Sequence, residues 1–393
     1  MKIIKIHDIG RTITGTTPST KEPLNYNSKD IMFIGPSDIK NNRYITDTEK
    51  YISTFAFNNL PTRQLSKNSI VIDCIGSDMG NVAITTANCV TNQQINAITN
   101  LEDKNVLYFY YLFSTKKHYF HQIGMNGSTM PIISKSLFDD IEILIHDDNE
   151  QQHIVNILGS LDEKIESLEL ITKKLQQKIK FDFIKEYNNL ISEKTISIEE
   201  FISETIPGDW GKETLEGNYT TMVKCVRGAD LPDLKNCNIE NAPNRFIINK
   251  NYMSKKLQKH DFIVEMSGGS PTQSTGRTAF IPKDFEILSK DLICTNFCKT
   301  IRCKNKESAI FCYLLFDMWY DSGLFFNYEI GTTGLKNFNL DAVLGLDIKE
   351  PTYKFLHNIS NQFELFYTKI IDNSQKIKKL NKLKQLYLKK FFG

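Results

Sequence analysis

Residues 70–84 read IVIDCIGSDMGNVAI, and residues 262–281 read FIVEMSGGSPTQSTGRTAFI. Each is apolar and rich in β-branched or aromatic residues, then Gly-rich and polar, then apolar again. That order predicts a strand, a loop and a second strand. The two stretches are the clearest part of a longer duplication, and internal repeats decide architecture before any local feature does. Downstream of each lies a Thr-Asn pair inside a strand-like run, TNQQINAI from Thr91 and TNFCKTI from Thr295. Aromatic segments follow, YFYYLF from Tyr108 and FCYLLF from Phe311, then polar turns, IGMNGST from Ile123 and IGTTGLKN from Ile330. Between Thr91 and Ile123 the anchors recur with offsets of 203 to 207 residues. Both copies then reach an apolar strand-like stretch, IEILI from Ile141 and VLGLDI from Val343.

A long helical pattern closes each copy. In the first, apolar residues fall at Ile154, Leu158, Leu161, Ile165, Leu168, Leu175 and Ile179. In the second they fall at Ile359, Phe363, Phe366, Ile370, Ile377, Leu380 and Tyr387. Steps of three and four put each set on one stripe of a helix. Neither Gly nor Pro interrupts residues 160–190 or 356–392. A helix of ~38 residues extends about 57 Å, more than a small globular domain needs, so the two are expected to pair as an antiparallel coiled coil. The resulting expectation is an α/β (α+β) chain with a pseudo-two-fold repeat: two mixed α/β globular domains in tandem, separated by two long helices. The boundaries are 1–148 for the first domain, 149–188 for the central helix, 189–352 for the second domain and 353–393 for the C-terminal helix.

The composition sets outer limits. The chain has 393 residues, 48 basic and 46 acidic, for a net charge of +2. That length accommodates two or three domains. No apolar run approaches the ~18 residues that span a bilayer, and the N-terminal MKIIKIHDIG turns polar too early for a signal peptide. The expectation is a cytoplasmic protein with no membrane partner. The eight cysteines contain no C-x-x-C pair, so buried free thiols are expected rather than zinc ligands. The charge is unevenly placed: residues 354–393 hold nine lysines against Glu364 and Asp372. This basic helix suits the DNA backbone, an acidic partner surface, or water.

Catalytic signatures are missing. The Gly-rich loop after Phe262–Glu265 has the wrong spacing for a phosphate-binding loop, Arg277 stands in place of its lysine, and the continuation is strand-like. Dinucleotide-binding, H-E-x-x-H and G-x-S-x-G patterns are absent from the sequence. No metal site and no catalytic residue is expected.

The loops offer binding chemistry instead. Amide side chains match adenine edges, Arg and Lys match guanine edges, and hydroxyls reach phosphates. In the first copy the candidates for DNA contact are Thr16, Thr17, Ser19, Lys21, Ser37, Lys40, Asn41, Asn42, Arg43, Ser77, Asn92, Gln93, Gln94, Asn126 and Ser128. In the second they are Lys224, Arg227, Arg245, Ser270, Gln273, Ser274, Arg277, Asn296, Thr332, Thr333 and Lys336.

At this point the sequence resembles the DNA-specificity (S) subunit of type I restriction-modification systems. The first copy carries GTTPS from Gly15, FIGPSDI from Phe33, YIS from Tyr51, residues 70–84 and TNQQINAI in that family's order. EQQHI from Glu150 and ILGSLDEKI from Ile157 resemble its E-Q-x-x-I and L-D-x-K-I helix signature, and PGDW from Pro207 its second-domain opening. The resemblance implies a non-enzymatic subunit. Each recognition domain would read one half of a bipartite double-stranded DNA target, and the helices would set the gap. The stripe residues Ile154, Leu158, Leu161, Ile165, Leu168, Leu175, Phe363, Phe366, Ile370, Ile377 and Leu380 would serve the spacer and its partners. It further implies two methyltransferase subunits using S-adenosylmethionine, and restriction/translocase subunits using ATP and Mg, with no cofactor on this chain. The alternatives are an enzyme with a site assembled from dispersed residues, and a coiled-coil adaptor of another anti-phage defence complex without DNA specificity.

Overall fold

The computed structural model describes residues 1–39, 43–101, 105–125, 131–282, 291–331 and 336–393. The chain forms two compact units, Met1–Lys164 with Leu380–Gly393, and Ile165–Lys379.

The first unit has ten strands: β1 (Lys2–Lys5), β2 (Arg11–Thr14), β3 (Ile31–Ile34), β4 (Tyr44–Ile45), β5 (Lys50–Ile52), β6 (Ile70–Asp73), β7 (Val82–Thr85), β8 (Cys89–Thr91), β9 (Ile95–Thr99) and β10 (Glu142–Ile145), as counted among the described residues. They make a five-stranded sheet in the order β2-β9-β6-β7-β4, a three-stranded sheet β5-β3-β8 and a ribbon β1-β10. The IVID run of β6 is central and buried on both faces, as its unbroken apolar sequence predicts. Its helices are α1 (Thr54–Asn58), α2 (Val106–Ser114), α3 (Lys117–Gly124), α4 (Lys135–Asp139) and the start of α5 (Asp148–Asn188). The α2 segment VLYFYYLFS starts where the Asn105 side chain accepts from the Tyr108 amide, and its residues from Tyr108 to Phe113 are all buried.

The second unit repeats this plan. Its strands are β11 (Thr195–Ser197), β12 (Ile202–Pro207), β13 (Tyr219–Val226), β14 (Asn244–Ile248), β15 (Phe262–Glu265), β16 (Ser267–Gly268), β17 (Thr278–Phe280), β18 (Leu292–Cys294), β19 (Cys298–Cys303), β20 (Glu329–Ile330), β21 (Lys336–Phe338) and β22 (Asp347–Lys349). The order β12-β19-β15-β17 matches β2-β9-β6-β7, β14-β13-β18 matches β5-β3-β8, and β11-β22 matches β1-β10. The match extends to direction: β3 is antiparallel to β5 and parallel to β8, and β13 is antiparallel to β14 and parallel to β18. Its helices are α6 (Leu231–Lys235), α7 (Asn249–Lys255), α8 (Lys306–Asp321), α9 (Leu340–Leu344) and α10 (Tyr353–Phe392). Helix α8 is capped by Asn305, which accepts from the Ser308 amide, as Asn105 caps α2. The duplication read in the sequence is thus a duplication of topology. Among the described strands, β4 pairs into the first unit's sheet alone and the small sheet β16-β21-β20 is found in the second unit alone.

Helices α5 and α10, of 41 and 40 residues, pair with each other in each unit. In the first, Lys384 meets Asp162 at 2.7 Å and the ring of Phe391 meets His153. In the second, Asn373 donates to Thr172 at 3.2 Å and Gln362 to Glu186 at 3.4 Å. Within each unit one number rises as the other falls, so the pairing is antiparallel, as the stripes predict. Ile154 and Leu158 join the core of the first unit beside Leu388 and Phe392. Ile179 and Phe183 join that of the second beside Phe355, Ile359, Phe363 and Ile370. Among the stripe residues Ile165 and Leu168 are also buried, while Leu161, Leu175, Phe366, Ile377 and Leu380 are half-buried.

Seven cysteines are buried and Cys303 is half-buried, all as free thiols. Burial pushes the thiols of Cys74, Cys89, Cys225 and Cys237 up to about 12, so they pack as small apolar groups.

Candidate nucleic-acid interface

In the first unit the polar loops gather at one end of the central sheet. Gly15 follows β2 and lies so close to the β8–β9 loop that a Cβ there would stand 2.1 Å from the Asn92 carbonyl oxygen. Only a residue without a side chain permits that approach. The contact aligns Thr16 and Thr17 beside Asn92, Gln93 and Gln94. The Thr16 amide donates to the Thr91 carbonyl at 2.9 Å, and the Thr17 hydroxyl donates to Gln93 Oε1 at 2.7 Å. Asn92 and Gln94 brace each other, through Asn92 Nδ2 to Gln94 Oε1 at 3.1 Å and the Gln94 amide to Asn92 Oδ1 at 3.0 Å. The loop after β3, which carries Ser37, joins the group where the Asn92 amide donates to the Ile34 carbonyl. The turn from 74 to 81 joins it where the Cys74 amide donates to the Gln94 carbonyl. Ser77, Gln93, Ser19 and Lys21 are exposed there.

A buried carboxylate pins that last turn. Asp73, at the end of β6, accepts from the Asn81 amide at 2.7 Å and from Asn81 Nδ2 at 2.8 Å. Burial pushes its carboxyl above the usual carboxylate range, against the pull of the Asn81 bonds. Asn81 is held in turn by Lys117, which donates to its Oδ1 at 2.8 Å and pairs with Asp78 at 2.6 Å.

The second unit builds the same end with different side chains. Gly208 follows β12, and a Cβ on it would stand 1.9 Å from the Thr295 carbonyl oxygen, as at Gly15. Glu265, at the end of β15, occupies the place of Asp73. It receives Arg277 in a two-pronged pair, Nε to Oε2 at 2.8 Å and Nη2 to Oε1 at 2.5 Å. Gly228 lies against the same carboxylate, bringing in Arg227, which makes a second two-pronged pair with the buried Asp230. Such forks hold a guanidinium plane in one orientation. The 266–277 loop is tied down further: Ser270 and Gln273 form an isolated bridge, the Thr275 amide donates to Glu329 Oε1, and Lys336 pairs with Glu329 at 2.6 Å. Asn296 lies exposed in the adjoining loop, whose Phe297 carbonyl accepts from the Met266 amide.

Of the other expected contact residues, three are buried and a fourth is tied to backbone carbonyls. Arg43 is buried, donating to Tyr111 and lying 4.0 Å from Asp162. Arg245 is buried on β14, stacked 4.1 Å from the Trp210 ring centroid and paired with Glu213 at 2.9 Å. Ser274 is buried, and the Lys224 ammonium donates to the Glu240 and Ala242 carbonyls. Lys40, Asn41, Asn42, Asn126, Ser128, Thr332 and Thr333 lie outside the described residues.

Sequence reasoning passed over two groups. Phe297 is 51% exposed beside Asn296, in the position Gln93 holds in the first unit, and offers a flat apolar face to the same surface. The second group is the apolar residues that point outward from the long helices. In the second unit these are Leu170, Ile171, Phe181 and Leu365, the last two 65% and 71% exposed; in the first they are Leu383 and Leu386. Their signal is an apolar residue off the buried stripe, readable once the stripe is fixed.

Among the described residues no cluster of His, Cys, Asp and Glu has metal-binding geometry, and no helix is long and apolar enough to cross a membrane. The loop ends present amides, hydroxyls and braced guanidinium groups, which are donors and acceptors for base edges and phosphates.

Comparison with known proteins agrees with this chemistry. Residues 1–181 match the family described as type I restriction modification DNA specificity domain. The chain is 26% identical to the type I restriction enzyme MjaIX specificity subunit of Methanocaldococcus jannaschii, over 99% of this chain and 92% of that protein. It is 28% identical to the type I restriction enzyme HindI specificity subunit of Haemophilus influenzae, over 35% of this chain and 30% of that one. The crystal structure of a type I restriction-modification S subunit from M. genitalium shares the fold, with a TM-score of 0.55 at 13% identity, covering 100% of this chain and 96% of that one.

Proposed function

From the likeness of this chain to type I restriction-modification DNA specificity subunits, we propose that it is such a subunit and that each compact unit reads one half of a bipartite double-stranded DNA target. The observation that carries this reading is the duplicated loop end: the same topology, the same close glycine after β2 and β12, and the same buried carboxylate at the end of β6 and β15. The frame repeats while the displayed side chains differ, with Asn81, Asn92, Gln93 and Gln94 in one unit and Arg227, Gln273, Arg277 and Asn296 in the other. Two equal frames with unequal contents read two different half-sequences. Each bidentate base contact discriminates by ~1–3 kcal/mol, so a few per unit suffice.

The paired helices α5 and α10 act as the spacer that sets the gap between half-sites. Their outward apolar residues, Leu170, Phe181 and Leu365 in one unit and Leu383 and Leu386 in the other, dock two methyltransferase subunits. Catalysis belongs to partners: methylation with S-adenosylmethionine in those subunits, and ATP- and Mg-dependent translocation and cleavage in restriction subunits. The chain itself works in the cytoplasm, without a cofactor, as a reader and scaffold. The test is binding by the chain purified with its methyltransferase partner. Preference for duplexes carrying a two-part sequence, weakening steeply with salt through the phosphate contacts, is expected. Equal binding to unrelated duplexes overturns the reading, and no DNA binding at all favours an adaptor role.

A further inference from the structure

The second unit holds a buried charge cluster that its loops do not use. Asp317, one turn before the end of α8, is 2% exposed and takes a lysine on each carboxylate oxygen. Lys180 of α5 reaches Oδ2 at 2.7 Å, and Lys235 of α6 reaches Oδ1. Lys180 also pairs with Asp321, one turn further along α8, at 2.6 Å. One turn before Lys180, Gln176 donates to the Lys235 carbonyl and to Asn236 Oδ1, both at 3.1 Å. Burial opposes the ionisation of Asp317, but Lys235 and Lys180 outweigh it and hold the carboxyl below its ordinary range. The cluster is therefore charged at neutral pH.

Ile179, Phe183 and Tyr187 add apolar contact between α5 and this unit. Apolar contact is non-directional and tolerates a helix rolling or sliding by a fraction of a turn. A two-carboxylate ion pair and an amide fork do not, and fixing register is the best-attested role of buried polar groups. The first unit has a lysine at the matching place. Lys384 of α10 follows Lys180 by 204 residues, within the repeat offset, and pairs at 2.7 Å with buried Asp162, which also accepts from Tyr111 of α2. There the carboxylate lies on α5, so Lys384 joins the two long helices, and the Tyr111 hydroxyl ties that pair to α2.

We propose that Lys180 and Gln176 are positioning residues for target recognition: they fix the rotation of the second recognition fold about α5, and so make the accepted gap between half-sites single-valued. This rests on the reading above that the helices set the gap. Lys235 supplies the internal control, because it neutralises the same carboxylate from α6, which belongs to the recognition fold and not to the spacer.

The experiment compares methylomes of a host lacking its own system, supplied with the methyltransferase partner and either the wild-type chain, Lys180→Met with Gln176→Leu, or Lys235→Met. For the double variant, methylation at sites whose gap differs by one base pair is expected to rise about tenfold, equivalent to ~1.4 kcal/mol, with both half-sequences unchanged. Lys235→Met is expected to keep the wild-type gap. A single gap retained by the double variant overturns the proposal, as does equal broadening by Lys235→Met, which would mark a general loss of stability. If the double variant yields no methylation, Lys180→Met alone is read for the same broadening, and Lys180→Arg for its rescue. A wild-type methylome with no two-part motif overturns the functional reading itself, whereas an unchanged gap in the variants overturns only the lock.

Discussion

A Glu265→Gln substitution should loosen one half of the recognition surface and leave the other intact. Glu265 is buried and accepts two charge-assisted bonds from Arg277, at 2.8 and 2.5 Å. The amide keeps one acceptor and turns a second donor toward the guanidinium, so one bond is lost and a donor–donor contact is created. A hydrogen bond to a charged group contributes ~1.5–3 kcal/mol. Arg277 is partly exposed and water softens the loss, which places the cost near the lower end, about 2 kcal/mol. For a unit of this size that shifts the melting temperature by roughly 4–8 °C. Freed of its brace, Arg277 samples several orientations and the 266–277 loop loses its anchor beside Gly228 and Gly268. The assay is binding to duplexes carrying single substitutions in either half-site, alongside a thermal melt. Discrimination should fall at positions in the second half-site and hold in the first. Asp73→Asn should do the reverse through Asn81. An altered first half-site in Glu265→Gln, or an unchanged melt with unchanged discrimination, refutes the argument that these carboxylates brace separate readers.

Three further outcomes follow from the same structure. Replacing both members of the buried Asn373–Thr172 pair, by Leu and Val, removes a polar contact from the helix seam and should hold or raise the melting temperature by a few degrees; a fall of more than about 4 °C would mean the pair stabilises the seam as well as registering it. Asp317 has a lowered carboxyl and Lys180 a raised ammonium pKa. The Asp317 contribution is therefore present above the unfolded carboxylate value and lost as pH falls through the folded one, and the Lys180 contribution is lost only as pH rises through its folded value. The urea midpoint of the second unit should thus drop on acidification, and Lys180→Met should flatten that drop; an equal slope in both proteins contradicts the assignment. Phe181→Glu puts a charge on an outward apolar residue of α5 and should weaken methyltransferase binding about 30-fold, the ~2 kcal/mol of a hot-spot contact, with the melt unchanged; unaltered affinity would place the docking surface elsewhere.

The fold was legible because it rests on periodicity and repetition. The IVID and FIVE runs became β6 and β15, and the stripes beginning at Ile154 and Ile359 became the buried seam of α5 and α10. Those features depend on apolar burial, which leaves a regular trace along the chain. The polar loop end was legible by loop and not by residue. Thr17, Asn92, Gln93 and Gln94 converge because Gly15 and the β8–β9 loop touch, and the TNQQ motif marked that place. Arg43 and Arg245 look like DNA ligands in the sequence but point inward, because the carboxylate of Asp162 and the ring of Trp210 lie far along the chain from them. The same limit hid the Asp317 cluster: Lys180, Lys235 and Asp317 are 55 residues or more apart, and only the fold brings them together.

The central claim is that the two units read independently, one half-site each. Exchanging residues 1–148 for the corresponding part of a relative with a different target, and sequencing the methylome of a host that carries the chimera with its methyltransferase partner, tests it most directly. One half of the methylated motif should change while the other half and the gap stay as they were. A motif changed in both halves, or one with no gap, would contradict it.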